Sequence, residues 1–310
     1  MEAWVIVLIV LGGVLILTYF VSLLCFFLTN VRIFHINYER KLDFSLSQYK
    51  DKKERMEKEF GWFKSQNFET LYMKNRHGLK LVGKYLKTGD TNKIAIFFHG
   101  YRSVPKNDFS AMIPFYQKQG FNILLVHQRS HGESKGKVIT FGIKEQKDCH
   151  DWVKYVNKKF DNPQILLIGI SMGAATVLMA SSKEMQNVKA VIADCGYSCP
   201  YTIITNTIKI LRIPVHPTIN FINFHLKFFT GKDLKNHAVT QKLKQSKVPI
   251  LFIHGLDDKF VPCSMTEENY AATTGEKDIL LIEGAGHAGC YVTATKKYET
   301  KVKKFLENKF

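Results

Sequence analysis

The chain has 310 residues, 45% of them hydrophobic and 23% charged, which excludes a disordered, collagen-like or low-complexity protein and allows one large α/β domain or two small ones. Its 44 Lys and Arg against 27 Asp and Glu leave a formal charge of +17, which points to a polyanion, either nucleic acid or an anionic membrane surface. Six cysteines without a CxxC spacing fit free thiols in a reducing compartment rather than a disulfide scaffold.

Residues 3–28 carry no charge, and their polar members are Thr18, Tyr19 and Ser22. As a helix this run would reach about 39 Å, enough to cross a hydrocarbon core of about 30 Å with some tilt. Trp4 suits an interfacial anchor. A cleaved signal peptide fits less well: no Lys or Arg precedes the run, the run is long, and no small-residue cleavage site follows it. A single transmembrane anchor is therefore predicted over residues 1–30. Arg32, Arg40, Lys41 and Lys50 follow the span, so the positive-inside rule places the body of a single-pass cell-membrane protein in the cytoplasm. Residues 31–66 read as a charged juxtamembrane stalk. The mixed charges from Tyr38 to Phe60 suit a solvated helical spacer.

Residues 67–310 alternate strands and helices. Residues 68–73 and 79–86 suggest a hairpin around Arg76, His77 and Gly78. Unbroken apolar runs at 94–98, 123–126, 165–168, 188–193, 250–253 and 279–282 suggest parallel strands covered on both faces. Helical stretches at 108–118, 143–159, 172–183, 264–273 and 292–308 lie among them. This alternation predicts an α/β fold with a doubly wound, mostly parallel sheet, whose ligands sit outside the carboxyl ends of the strands. Residues 199–243 leave the rhythm. Two apolar helices at 201–211 and 219–229 are separated by Pro214 and Pro217, and they suit a short helical lid. Phe221, Phe224, Leu226, Phe228 and Phe229 could line an acyl or aromatic pocket, pack on the domain or touch the bilayer.

Three predicted strand ends carry reactive residues. Gly169-Ile170-Ser171-Met172-Gly173 sits at a strand-to-helix junction. The small residues on either side of Ser171 allow a tight turn that projects the hydroxyl towards a helix amino terminus. After residues 94–98 comes His99-Gly100-Tyr101. There the amide of Tyr101, with that of Met172, could form an oxyanion hole, and His99 would brace the loop. After residues 250–253 come Asp257 and Asp258, which compete to orient a histidine; the Gly-x-x-Asp-x-x-Val-Pro spacing favours Asp258. His287, among Gly284, Ala285, Gly286, Ala288 and Gly289, is placed as a general base.

The order Ser171, Asp258, His287 resembles that of the α/β-hydrolase superfamily, and the resemblance covers about residues 67–310. More narrowly, the chain resembles bacterial membrane-anchored hydrolases of the Bem46-like and prolyl-oligopeptidase-like branches. That match rests on His99-Gly100-Tyr101-Arg102, on Gln128 through Ser134, and on Thr140 through Lys144 before a helix with Asp148 and Trp152. The resemblance implies that Arg129, His131 and Ser134 brace a loop. It also implies a serine hydrolase working through an acyl-enzyme, with Ser171, His287 and Asp258 as triad and Tyr101 and Met172 as oxyanion donors.

Carboxylic esters are the expected substrates. Small peptides or amides are the alternative, and a non-catalytic membrane-bound interaction protein is a further one. No cofactor and no metal are expected. The expected partners are a small-molecule acyl ester or peptide and the lipid bilayer. Nucleic acid is not expected, since no recognition motif accompanies the charge. The basic excess then suits anionic headgroups, with Lys232–Lys247 and Lys296–Lys309 as carriers, or a Lys-rich compositional habit.

Overall fold

The computed structural model describes residues 2–32 and 53–310. Most of the expected stalk, including Glu39, Arg40, Lys41, Lys50, Asp51 and Lys52, lies outside the described residues. Eight strands form one sheet: β1 (Glu69–Lys74), β2 (Lys80–Leu86), β3 (Lys93–Phe98), β4 (Asn122–His127), β5 (Gln164–Ile170), β6 (Val188–Asp194), β7 (Ile250–Gly255) and β8 (Lys277–Ile282). Their order is β1-β2-β4-β3-β5-β6-β7-β8. The hairpin β1–β2 joins β4 antiparallel, and the six strands from β4 to β8 run parallel.

The β-period of two sorts the side chains. Ile94, Ile96 and Phe98 of β3 enter one core layer, and Ala95 and Phe97 enter the other. Among the described residues the α-helices are α1 (Ala3–Asn30), α2 (Lys53–Ser65), α3 (Pro105–Phe109), α4 (Ile113–Lys118), α5 (Glu145–Lys159), α6 (Met172–Ala180), α7 (Pro200–Ile210), α8 (Val215–Thr230), α9 (Val239–Leu243), α10 (Cys263–Ala272), α11 (Cys290–Thr293) and α12 (Thr295–Leu306). The first core layer is covered by α5 to α10 together with Phe26 of α1. The second is covered by α2, α3, α4, α11 and α12.

Two elements differ from expectation. The helix expected over 108–118 is two short helices, because Pro114 can sit in a first helical turn but not in a helix interior. The carboxy-terminal helix likewise breaks at Ala294. The described part of the stalk is not a free spacer. Met56 of α2 is buried, and Trp62 and Phe63 pack on the second core layer, so the globular body extends amino-terminally at least to Lys53.

Helix α1 does not end in solvent. The last carbonyls of a helix lack partners within it. Here the Tyr101 hydroxyl donates to the Thr29 carbonyl at 2.6 Å, the Arg102 guanidinium reaches that of Leu28, and the Ile139 amide takes that of Asn30 at 2.7 Å. Val31 then bridges Val138, and the Arg32 guanidinium donates to the carbonyls of Gly132 and Ser134.

A buried ion pair fixes the loop after β4. Arg129 donates to both oxygens of Asp148 on α5 at 2.6 Å, and Asn75 from the β1–β2 turn adds a third bond at 2.7 Å. Removing the cation alone strands a buried carboxylate. Arg129→Met should therefore cost about 3–5 kcal/mol. In thermal denaturation of the full chain this reads as a fall in Tm of roughly 10 °C.

Candidate active site

At the β5–α6 junction Ser171 has φ 55° and ψ −115°. This is a strained backbone for a non-glycine residue. The two glycines of the motif make the turn possible. A Cβ on Gly169 would lie 2.3 Å from the Gly173 oxygen, and one on Gly173 would lie 1.8 Å from the Phe98 oxygen. The Ser171 amide donates to the Asp194 carbonyl at 2.9 Å, and Met172 opens α6.

The ends of β7 and β8 bring two more groups to this point. His287 Nε2 lies 3.0 Å from Ser171 Oγ, and its Nδ1 lies 2.7 Å from Asp258 Oδ2. The other Asp258 oxygen accepts the amides of Phe260 and Val261, both at 2.9 Å. Burial pushes the Asp258 carboxyl pKa up. Hydrogen bonds from His254, His287 and the Val261 amide outweigh that and hold it well below the usual carboxylate range. Asp257, the competing carboxylate, is exposed.

Gly100 sits against Ser171: a Cβ there would lie 3.5 Å from the Ser171 Cβ. Tyr101, Ser171 and Met172 border one cavity. The bracing residues lie behind it. His99 Nδ1 bonds to the Gly100 carbonyl at 2.8 Å, and its Nε2 accepts the Gln128 amide. Burial lowers the His99 pKa to about 3, so the ring is neutral. His131 accepts the Arg102 amide at 3.0 Å, and Ser134 ties the His127 carbonyl to the Val82 amide.

Two residues of the site escaped the sequence reading. His254, fully buried, places Nε2 3.3 Å from Asp258 Oδ2, so the carboxylate faces two imidazoles. Asp108 accepts the Gly100 amide at 2.7 Å and the Ser103 hydroxyl at 2.5 Å, which fixes the loop beside Ser171. Burial raises its pKa. His254 lies near the end of β7 and Asp108 within α3, and only their partners in the fold distinguish them.

An apolar cavity leads away from Ser171. Its walls include Tyr197, Ile203, Ile204 and Ile208 on and before α7, and Ile222 on α8. None of the five lid residues named from sequence borders it. Leu226 is buried in the core, Phe221 is half-buried against Tyr19, and Phe224, Phe228 and Phe229 face outward. Helix α8 is apolar around most of its circumference, so composition alone does not tell its inner face from its outer one.

Comparison with known proteins agrees with this architecture. The family model for the alpha/beta hydrolase fold matches residues 96–220. The YqkD protein of Bacillus subtilis is 28% identical over 255 residues, covering 80% of this chain and 82% of its own. The yeast membrane protein YNL320W is 27% identical over 150 residues, covering 48% of each chain. Among solved structures, the Pyrococcus furiosus esterase Pf2001 superposes with a TM-score of 0.66 at 24% identity, covering 78% of this chain and 91% of its own. The Pyrococcus horikoshii acylaminoacyl peptidase superposes with a TM-score of 0.57 at 19% identity, covering 80% and 43%. These similarities agree with the eight-stranded sheet, and the chain has the α/β-hydrolase fold.

Asp194, at the end of β6, is buried beside Cys290, and burial raises its carboxyl pKa to about 6. A carboxyl with a raised folded pKa favours folding while protonated, and this contribution is lost as pH rises from about 4 through about 6. Asp194→Asn should therefore raise Tm more at pH 8 than at pH 4, a comparison that differential scanning fluorimetry can make.

Proposed function

We propose that this chain is a membrane-anchored serine hydrolase of carboxylic esters. The observation that carries the reading is the continuous hydrogen-bonded line from Ser171 Oγ through His287 to Asp258, at 3.0 and 2.7 Å.

In this reading His287 Nε2 takes the proton from Ser171 as Oγ bonds to the ester carbonyl carbon. The amides of Tyr101 and Met172 hold the resulting oxyanion. Collapse breaks the bond to the alcohol oxygen, which leaves with the proton from His287. Water then attacks the acyl-enzyme, gives its proton to His287, and releases the carboxylic acid and free Ser171. Asp258 fixes the imidazole tautomer and stabilises its charged form. Its own low pKa keeps it ionised throughout.

Esters are favoured over peptides by the cavity, since none of the residues bordering it is charged and it offers no carboxylate to pair with an α-ammonium group. Two features support an anchor over a removed leader. The first two-thirds of α1 present Trp4, Leu8, Leu15, Leu17 and Phe20 outward. Its last turn is built into the body through Phe26, fully buried, and through its carbonyls. With Arg32 just after the span, the proposed placement is a single pass with the globular body in the cytoplasm.

A fluorophosphonate probe should label the wild type and leave Ser171→Ala unlabelled. The kcat/KM of Ser171→Ala on p-nitrophenyl esters should fall by about 10⁴-fold or more. Equal labelling of both would refute the nucleophile. Faster turnover of aminoacyl nitroanilides than of the esters would move the assignment to a peptidase. Protease added to intact cells should leave the globular body whole, and its cleavage from outside would reverse the orientation.

A further inference from the structure

The anchor is part of the cavity. Cys25 and Thr29 of α1 border it together with Ser171, Ile208 and Ile222. Helix α1 is held there by more than its carbonyl bonds. The ring of Phe26 stacks on that of Phe229 at 5.4 Å, Tyr19 packs edge-on against Phe221, and Ser22 Oγ meets His225 Nε2 at 3.4 Å.

The outer surface continues the same apolar character. Ile210 and Leu211 at the end of α7, and Phe224 and Phe228 on α8, are more than half exposed, and Phe228 packs on Phe229, which stacks on Phe26 of α1. An apolar patch of this kind, continuous with a helix long enough to span a bilayer, belongs in hydrocarbon. Leu211 belongs to both surfaces: it borders the cavity, and the residue is 60% exposed. The wall of the cavity at Leu211 is thus also part of the outer apolar surface. Just beyond Phe229 a cleft bordered by Lys144, Lys147 and Lys232 supplies positive charge where anionic headgroups would lie.

We infer that α1 forms one wall of the acyl site, and that this site takes the long acyl chain of a lipid ester directly from the bilayer, entering beside Leu211. This rests on Ser171 being the nucleophile. The chain would lie along Cys25, Thr29, Ile208 and Ile222, with its carbonyl at Ser171. The Lys296–Lys309 group is not part of this surface, because α12 packs on the opposite face of the sheet from Phe26.

The experiment uses the full chain in nanodiscs containing phosphatidylglycerol and a dodecyl fluorophosphonate with a terminal diazirine. Ser171 Oγ displaces fluoride from phosphorus, and irradiation then marks whatever lies at the chain end. The expected result is an adduct on Ser171 with photocrosslinks in the α1 peptide around Cys25 and Thr29. An adduct on Ser171 with no crosslink to α1 overturns the inference and leaves the hydrolase reading standing. No adduct on folded protein removes the hydrolase reading and this inference with it. A second measurement compares dodecanoyl with acetyl p-nitrophenyl esters. Cys25→Trp should lower the long-to-short ratio of kcat/KM by about tenfold or more, and an unchanged ratio overturns the proposal.

Discussion

The helix after Ser171 presses so closely on the end of β3 that a single carbon on Gly173 would collide with the Phe98 carbonyl. Much of the site's geometry depends on that approach. It brings the amino terminus of α6 beside the loop that holds Gly100 and Tyr101, and it forces the backbone of Ser171 into a left-handed turn. Strain of this kind persists only where its surroundings over-determine it. Here the Ser171 amide is held by the Asp194 carbonyl and its own carbonyl by the Ala175 amide. The sheet supplies the frame, because parallel strands from β3 to β8 deliver their ends to one edge.

Asp258 is the electrostatic centre of that edge. Its two oxygens are saturated by two backbone amides and two imidazoles, so it has little freedom to turn. His254 is itself fixed, with Nδ1 against the Thr266 hydroxyl at 2.6 Å and Nε2 near the Val261 carbonyl at 2.9 Å. The carboxylate that faces His287 is therefore anchored from behind by a buried ring. On the other side of the cleft Asp108 does the same for the loop of Gly100. Two buried carboxyls thus hold the two loops in place, one kept ionised by its donors and the other raised in pKa by burial.

Much of this was legible in the residues. The parallel strands announced themselves as unbroken apolar runs, since both of their faces are covered. The turn at Ser171 was visible because close crossing demands glycine at two defined positions. Spacing separated Asp258 from Asp257, and the structure buries the first and exposes the second. What stayed hidden depends on which way a helix faces. An apolar span has no polar side to mark a docking face, so nothing singled out Cys25, Thr29 or Phe26. The lid phenylalanines were equally ambiguous, and the cavity is bordered instead by isoleucines of α7. His254 and Asp108 were obscured because their importance lies in partners far along the chain.

The connection between α1 and the globular body has no slack. Asn30 ends the helix, and Val31 is already paired with Val138. Each residue of an α-helix advances it by about 1.5 Å and turns it by about 100°. The sequence of α1 is thus constrained in phase as well as in hydropathy. A foreign helix of equal length and hydropathy, joined one residue out of step, would still be long and apolar enough to cross a membrane. It would present the wrong flank to Phe221 and Phe229 and swing Leu28 and Thr29 away from Arg102 and Tyr101. Helix α1 is in this sense a keyed component, and exchanging it for another would alter the body it is attached to.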